Sequence, residues 1–177
     1  MEFSQVVQQR QSCRSYDPGR PVAKEDILAC IEAAGLAPSA CNSQPYHFTV
    51  CTGGMSKAVA KACSGMGMNR FAAEAPCTIV VEEASYNKTA ALGSKFKNQD
   101  YRSIDIGLAV SQLVLEAQNR GLATCILGWF DEKKLKELVG TSAHIRLVIT
   151  LGYAKEGDPL RAKTRKPLKE IADFREE

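Results

Sequence analysis

Three polar segments of the 177-residue sequence carry the side chains best suited to binding chemistry. The first holds Arg10 and Ser12, the second is the loop 37–48, and the third is a basic tail with Lys163 and Arg165. Guanidinium and ammonium groups form charge-assisted hydrogen bonds to phosphate oxygens, and a serine hydroxyl adds a further donor. The first and third segments therefore suit an anionic group, whereas the second supplies neutral amides and prolines.

Motifs of self-sufficient enzyme chemistry are missing from the sequence. It contains no G-x-G-x-x-G after a strand and no G-x-x-x-x-G-K-[ST], so a Rossmann or nucleotide-triphosphatase fold is disfavoured. It also contains no G-x-S-x-G elbow, no H-E-x-x-H and no cysteine with a plausible histidine partner, so hydrolysis lacks its machinery. We therefore expect no catalytic side chain, and a bound cofactor that carries the reaction.

The seven cysteines and two histidines form neither a C-x-x-C pair nor a metal-ligand spacing. We interpret the cysteines as reduced thiols, with Cys41 as a small buried one, and expect no metal site. The N-terminus lacks a signal pattern and no run of about 18 apolar residues occurs, so we expect a cytoplasmic protein that does not span a membrane. A net charge of +3 gives no reason to expect nucleic acid as a partner.

Hydrophobic periodicity predicts one domain over residues 1–177, in which helices alternate with at least four short strands. The helix 104–119 has apolar residues most of the way round, which is typical of a core helix buried on more than one side. The second helix is expected to bury Leu28 and to end at Gly35 in a left-handed conformation, and 82–101 has the weakest pattern. After a first helix that ends near Arg10, we predict helices at 24–34, 55–64, 104–119 and 131–139, and strands at 48–52, 77–81, 123–127 and 145–152.

Taken in order, the three segments resemble the FMN-binding pattern of the nitroreductase family. Arg10 to Arg14 matches its Arg-x-Ser-x-[Arg/Lys] run, and Pro38 to Tyr46 matches its Pro-Ser-x-x-Asn-x-Gln-Pro-aromatic loop. Gly152-Tyr153 with the basic stretch 163–168 matches its final segment. The likeness extends from about Val6 to Ile171, and the Pro-Ser loop is its most specific part.

The resemblance assigns a role to each segment of the FMN site. Arg10, Lys163 and Arg165 would bind the phosphate, and Arg14 would lie at the pyrimidine edge of the ring, where a positive charge stabilises reduced flavin. By alignment with the family pattern, Asn69 would also lie at the ring edge, and the backbone amides of Leu127 and Gly128 would approach N5 and O4 of the flavin. The expected cofactor-binding residues are Arg10, Ser12, Arg14, Pro38, Ser39, Asn42, Gln44, Asn69, Leu127, Gly128, Lys163 and Arg165.

The same resemblance implies an α+β fold with a central mixed β-sheet flanked by helices. It also implies an obligate homodimer with two FMN sites at the subunit interface, each built from both chains. The implied activity is hydride transfer from NAD(P)H through FMN to a small oxidised acceptor, such as a nitroaromatic or a quinone. Two alternatives stay open: a flavin-binding protein of the same fold with a specialised or flavin-consuming role, and a cofactor-free interaction domain.

The chain departs from the longer family members at two places. The stretch 82–101 is short where they carry an additional helical excursion that builds part of the active-site roof, which puts the substrate range in question. Gln11 stands where arginine is common, and this substitution removes one expected phosphate contact.

Overall fold

The computed structural model describes residues 1–176, except for the side chains of residues 94 and 95. Six helices and four strands alternate along this part of the chain, joined by short 3₁₀ turns. In chain order they are α1 (Phe3–Gln9), α2 (Lys24–Gly35), β1 (Tyr46–Thr52), α3 (Gly53–Cys63), β2 (Cys77–Glu83), α4 (Lys88–Lys97), α5 (Tyr101–Asn119), β3 (Ala123–Leu127), α6 (Glu132–Val139) and β4 (Ile145–Gly152).

The four strands form one sheet in the order β1-β2-β4-β3. All three strand pairs are antiparallel, with Ile79 opposite Ile149 at the centre of the β2–β4 pair. A parallel pairing occurs only as an isolated bridge between Ser12 and Thr124, among the residues that the structure describes. The α+β class is therefore confirmed, and the parallel part of the expected mixed sheet is reduced to this bridge.

Helices cover both faces of the sheet. Ile79 and Val81 pack into the core formed with α2 and α5, whereas Val80 between them packs into the core formed with α3 and α6. Successive side chains of a strand point to opposite faces, so a strand covered on both sides is apolar without alternation. This explains why residues 77–81 read as a buried strand in the sequence.

Helix α5 lies against the sheet and is the core helix that the sequence predicts. Asp100 caps its first turn by accepting from Ser103 N–H at 3.1 Å, and Gly121 follows its end with φ of 72°. Leu113 is fully buried, whereas Ile104 and Leu108 on another face of the helix are exposed. The apolar residues all round this helix therefore belong partly to the core and partly to a surface.

Two expectations about α2 were wrong. Gly35 is the last residue of α2 and is not left-handed; α2 ends through the Leu36 N–H bond to Glu32 O and stops before Pro38, which has no N–H to continue it. Leu28 is exposed, because α2 instead buries Ile27, Cys30 and Ala34.

The stretch 82–101 is also more ordered than its pattern suggests. β2 continues to Glu83, and α4 occupies residues 88–97. Asn87 caps α4 by accepting from Thr89 N–H at 2.8 Å. Asparagine is a preferred residue at the start of a helix. The weak periodicity arises because α4 exposes most of its described residues.

One carboxylate, Glu132 at the start of α6, joins this helix to β4. Glu132 Oε1 lies 2.9 Å from Lys136 Nζ and 2.7 Å from His144 Nδ1, and it accepts from Ile145 N–H at 3.0 Å. These contacts, with Lys136 foremost, lower the pKa of Glu132 from 4.5 to about 2. A carboxylate with a lowered pKa stabilises the folded state above its ordinary pKa and loses that contribution as pH falls.

We expect Glu132→Gln to lower Tm near neutral pH by about 2–4 °C, the shift that about 1 kcal/mol produces in a chain of this size. The difference from the wild type should shrink as pH falls from 4.5 toward 2, where Glu132 becomes protonated. Thermal unfolding followed by circular dichroism across this pH range measures both. Glu137→Gln, in an exposed pair with Lys134, is the control and should change Tm little. A pH-independent difference would contradict the assignment.

Candidate functional site

The first and third polar segments meet in a hollow of about 310 Å³ on the surface. We call it the basic hollow, because five of its nine lining residues are cationic. It is lined by Arg10, Gln11, Ser12, Arg14, Arg161, Ala162, Lys163, Thr164 and Arg165. Residues about 150 positions apart in sequence are thus brought to one place, as the order of the motifs predicts.

The near wall of the basic hollow is fixed by the sheet. Helix α1 ends at Arg10, and the chain then runs beside β3, where Cys13 N–H donates to Thr124 O at 2.8 Å. Tyr16 is fully buried, and its hydroxyl lies 2.7 Å from Thr150 Oγ1. Arg14 therefore projects from a short segment that is anchored on both sides.

The far wall is the basic tail, which Gln11 holds in place. Gln11 Nε2 donates to Pro159 O at 3.1 Å, and Gln11 Oε1 accepts from Arg161 N–H at 3.0 Å. Arg161 Nη2 also donates to Ser12 O at 2.7 Å, and Lys163 Nζ donates to Gln8 O. The amide at position 11 thus binds the tail backbone, a contact that sequence comparison alone did not suggest.

Arg161 is a residue of the basic hollow that the sequence analysis missed. It lies in the basic tail, two positions before Lys163, and its contacts with Gln11 and Ser12 distinguish it from a solvated cation. One of its nitrogens lies 3.4 Å from Asp158 Oδ1. Its approach to Ser12 adds a further guanidinium to the hollow.

Positive charge in the basic hollow is largely uncompensated. Neither the Arg10 nor the Arg14 guanidinium has a carboxylate partner among the side chains that the structure describes. The field of these cations reaches Cys125 on β3: burial raises the pKa of this thiol, whereas Arg14 and a hydrogen bond from Ser12 oppose that rise. Cations without partners around a hydroxyl are a donor set suited to a dianionic phosphate.

The second polar segment forms a tight loop with unusual backbone angles. Cys41, Asn42 and Gln44 all have positive φ, at 51°, 50° and 45°. Ser39 Oγ accepts from Gln44 N–H at 3.0 Å, and Gln44 Nε2 donates to Asn42 Oδ1 at 3.0 Å. The amides of Asn42 and Gln44 are exposed, as is Pro38. The residue types expected to face a ring are therefore held together in one rigid turn.

Two details of this loop correct or extend the sequence analysis. Cys41 is exposed rather than buried, because it occupies the turn itself and not the strand that follows. Asp105 on α5, which the sequence analysis did not single out, accepts from Ala40 N–H with both carboxylate oxygens, at 3.1 and 3.2 Å. A carboxylate among apolar residues in a helix predicted to be buried was the signal available.

The two weaker site predictions lie next to each other at the end of β3. Leu127 is the last residue of β3 and is buried, and Gly128 follows it. Asn69 Nδ2 donates to Trp129 O at 3.1 Å and to Cys63 O at 3.3 Å. Its amide therefore joins two turns, which leaves its expected contact with a ring a prediction.

Within one chain, the predicted site residues do not all come together. The basic hollow adjoins the start of β3, where Ser12 pairs with Thr124. Leu127 is the last residue of this five-residue strand, and Gly128 follows it. The loop of Ser39 is instead tied to Asp105 near the start of α5, whereas Gln11 lines a cleft with Gln118 at the other end of this helix. Thirteen residues of α-helix separate these ends by about 20 Å.

The sequence matches the family model described as the Nitroreductase family at residues 7–66 and 55–153. These ranges cover most of the chain, which therefore belongs to the nitroreductase family.

Individual proteins agree with this placement. A Bacillus subtilis protein named as a candidate NAD(P)H nitroreductase, YdgI, is 24% identical over 204 aligned residues, covering 98% of each chain. A nitroreductase family protein from Streptococcus pneumoniae is 25% identical, with a TM-score of 0.81 over 98% of this chain and 100% of that one. A candidate nitroreductase from Exiguobacterium sibiricum, solved in complex with FMN, is 23% identical, with a TM-score of 0.80 over 99% and 98% of the two chains.

The described part of the chain holds no group of three or more His, Cys, Asp or Glu side chains placed to bind a metal ion. None of its helices is both long and apolar enough to cross a membrane.

Gln11→Ala should loosen the basic tail, because it removes two hydrogen bonds of about 0.5–1.5 kcal/mol each. We expect trypsin to cleave after Arg161, Lys163 and Arg165 about 3- to 10-fold faster than in the wild type, since cleavage requires the tail to open. Mass spectrometry of the early fragments measures these rates. Gln8→Ala is the control, because Gln8 contacts the tail only through its backbone carbonyl. Equal rates for Gln11→Ala and the wild type would mean that Gln11 does not hold the tail.

Proposed function

We propose that this protein is an FMN-dependent oxidoreductase that takes hydride from NAD(P)H and passes it to a small oxidised acceptor, such as a nitroaromatic or a quinone. The observation that carries the proposal is the basic hollow, a set of five cations in a chain of the nitroreductase family, of which Arg10 and Arg14 have no carboxylate partner among the described side chains. The name of YdgI and the FMN in the Exiguobacterium sibiricum structure support the same cofactors.

The phosphate of FMN suits the basic hollow. Arg10, Arg161, Lys163 and Arg165 would surround its oxygens, and Ser12 would add a hydroxyl. A dianion neutralises two of these charges, and guanidinium groups can bind it with paired hydrogen bonds. The Gln11 contact matters here because it brings Arg161 and the residues after it to the hollow.

The ring of FMN would extend from the hollow along the edge of β3. Arg14 would lie at its pyrimidine edge, and the backbone amides of Leu127 and Gly128 would approach N5 and O4. The amides of Asn42 and Gln44, with Pro38 and Ser39, would form the remaining wall, and Asn69 would lie at the ring edge.

We propose that a second copy of the chain completes each site. The Ser39 loop and the basic hollow, which we call the two half-sites, lie at opposite ends of α5. Within a single chain, therefore, the two half-sites do not meet. Large apolar side chains near α5 are also exposed: Phe3 at 72%, Leu36 at 82% and Leu108 at 41%. Apolar patches of this kind on a folded chain mark interaction surfaces. In a homodimer, the loop of one protomer would meet the hollow of its partner.

Bound FMN supplies the centre that accepts and donates hydride, so no side chain needs to act as a nucleophile. The residues of this chain would hold the cofactor, exclude water from one face of the ring and favour electron uptake through the charge of Arg14. The cytoplasm is the proposed location, in keeping with seven unpaired cysteines.

The proposal is tested with purified protein. It should be yellow, release FMN on heating and oxidise NADH or NADPH faster when a nitroaromatic or a quinone is added. Colourless protein that binds no added FMN would support a cofactor-free interaction domain instead. Bound FMN without acceptor-dependent turnover would support a specialised flavin role.

We expect Arg10→Ala to weaken FMN binding about 10- to 150-fold, because a charge-assisted hydrogen bond contributes about 1.5–3 kcal/mol. Titration of the apoprotein with FMN, followed by flavin fluorescence, measures this. Arg175→Ala removes an equal charge from an exposed position outside the hollow and is the control. Unchanged affinity in Arg10→Ala would remove Arg10 from the phosphate site.

The dimer is tested by placing a charge on the exposed apolar surface. Leu108→Glu should yield monomers that lose FMN, since each flavin would contact both chains. Analytical ultracentrifugation followed at the flavin absorbance reports mass and cofactor together. Leu28→Glu introduces the same charge at a similarly exposed helical position in a separate groove, and it should leave the dimer intact. A monomer that retains FMN would contradict the shared site.

A further inference from the structure

Asp105 is a buried carboxylate whose hydrogen bond is made to the backbone of the Ser39 loop. It is only 3% exposed, and both of its oxygens accept from Ala40 N–H. Among the side chains that the structure describes, no lysine, arginine or histidine forms an ion pair with it. Burying a carboxylate without a counter-charge is unfavourable unless hydrogen bonds satisfy it. A feature of this kind in the core helix calls for a role that hydrophobic packing does not supply.

The nearest arginine is engaged elsewhere. Arg102, one turn before Asp105 on α5, pairs with Glu83 and lies over the ring of Tyr86, 4.9 Å from its centroid. Tyr46 and Tyr86 lie close to Asp105: burial raises the pKa of each, and the Asp105 charge raises it further. The Tyr46 hydroxyl donates to Ala34 O at 3.3 Å instead, so the hydrogen bonds described for the Asp105 carboxylate are those from the Ala40 amide.

The loop that Asp105 holds has a backbone that most residues avoid. Three of its non-glycine residues, Cys41, Asn42 and Gln44, are left-handed. Such residues persist where surrounding contacts fix the chain, and they gather at ligand sites. The Ser39 and Gln44 bonds tie the loop to itself, so they set its shape. The bond to Asp105 ties it to α5, so this bond sets its position in the fold.

We propose that Asp105 is a positioning residue for flavin binding, which fixes the loop 39–44 so that the Asn42 and Gln44 amides reach the flavin ring. It would act through Ala40 and not by touching the cofactor. This inference rests on the proposed function, because the ligand of the loop is the FMN named there.

Three substitutions separate this role from general stability. Asp105→Leu removes the acceptor, whereas Asp105→Asn keeps one carbonyl oxygen. Ala40→Pro removes the donor, and the backbone accepts it, because Ser39 is extended at φ −144°, ψ 152°, a conformation allowed before proline, and Ala40 opens a 3₁₀ turn. Glu82→Gln is the matched control, since Glu82 is also a buried carboxylate, 4% exposed, bonded to Thr49 Oγ1 away from the loop.

Hydrogen exchange in the apoprotein gives a readout that needs no cofactor. We expect the amides of residues 41–44 to exchange about tenfold faster in Asp105→Leu and Ala40→Pro than in the wild type, and their protection to be partly restored in Asp105→Asn. FMN affinity should fall about 10- to 100-fold in the same two variants, the effect of losing a hydrogen bond to a charged group. Ala40→Pro should have little further effect once Asp105 is leucine, because both act on one bond. Glu82→Gln should lower Tm without changing either readout.

The outcomes distinguish this inference from the proposed function. Wild-type protein that binds no FMN overturns the proposed function and, with it, any flavin role of Asp105. Wild-type protein that binds FMN, with Asp105→Leu unchanged in loop exchange and affinity, overturns the inference alone. Equal loss of affinity in Glu82→Gln and Asp105→Leu would also overturn it, since the effect would then be general destabilisation.

Discussion

The packing of α5 against the sheet is the interaction on which the rest of the structure depends. The helix buries Leu113 and its neighbours against β2 and β4, and α2 packs beside it in the same core. One end of α5 receives the Ser39 loop through Asp105, and the other adjoins the segment that leads to Arg14. Because a helix is rigid over this length, it sets the separation of the two half-sites.

The basic hollow and the Ser39 loop also differ in charge. The basic hollow concentrates five cations on one side of β3, whereas the Ser39 loop presents neutral amides beside a buried carboxylate. These two chemistries would suit the two ends of the FMN proposed above, an anionic phosphate and a polar-edged ring. Three of the six described non-glycine residues with positive φ, Cys41, Asn42 and Gln44, lie in this one loop, where they hold the amides in a tight turn.

Gln11 illustrates how one substitution changes the role of a position. An arginine there would offer a further cation, but the amide of Gln11 donates to Pro159 O and accepts from Arg161 N–H. A guanidinium cannot accept a hydrogen bond, so it could not make both contacts. The tail is thus held by a neutral bridge, and Arg161 brings to the hollow the charge that position 11 lacks.

The sequence by itself determined the element types, the family and most residues of the basic hollow. Helices were predictable where periodicity was strong, and β2 was predictable because a strand packed on both faces is a continuous apolar run. The motifs kept Arg10, Ser12 and Arg165 in a recognisable order. It did not reveal helix α4, whose exposed residues give little periodicity, nor the features that depend on distant neighbours, such as the exposure of Leu28 and the role of Arg161. Only the tertiary structure decided that Asp105 meets Ala40, because a contact across 65 residues leaves no spacing in the sequence to read.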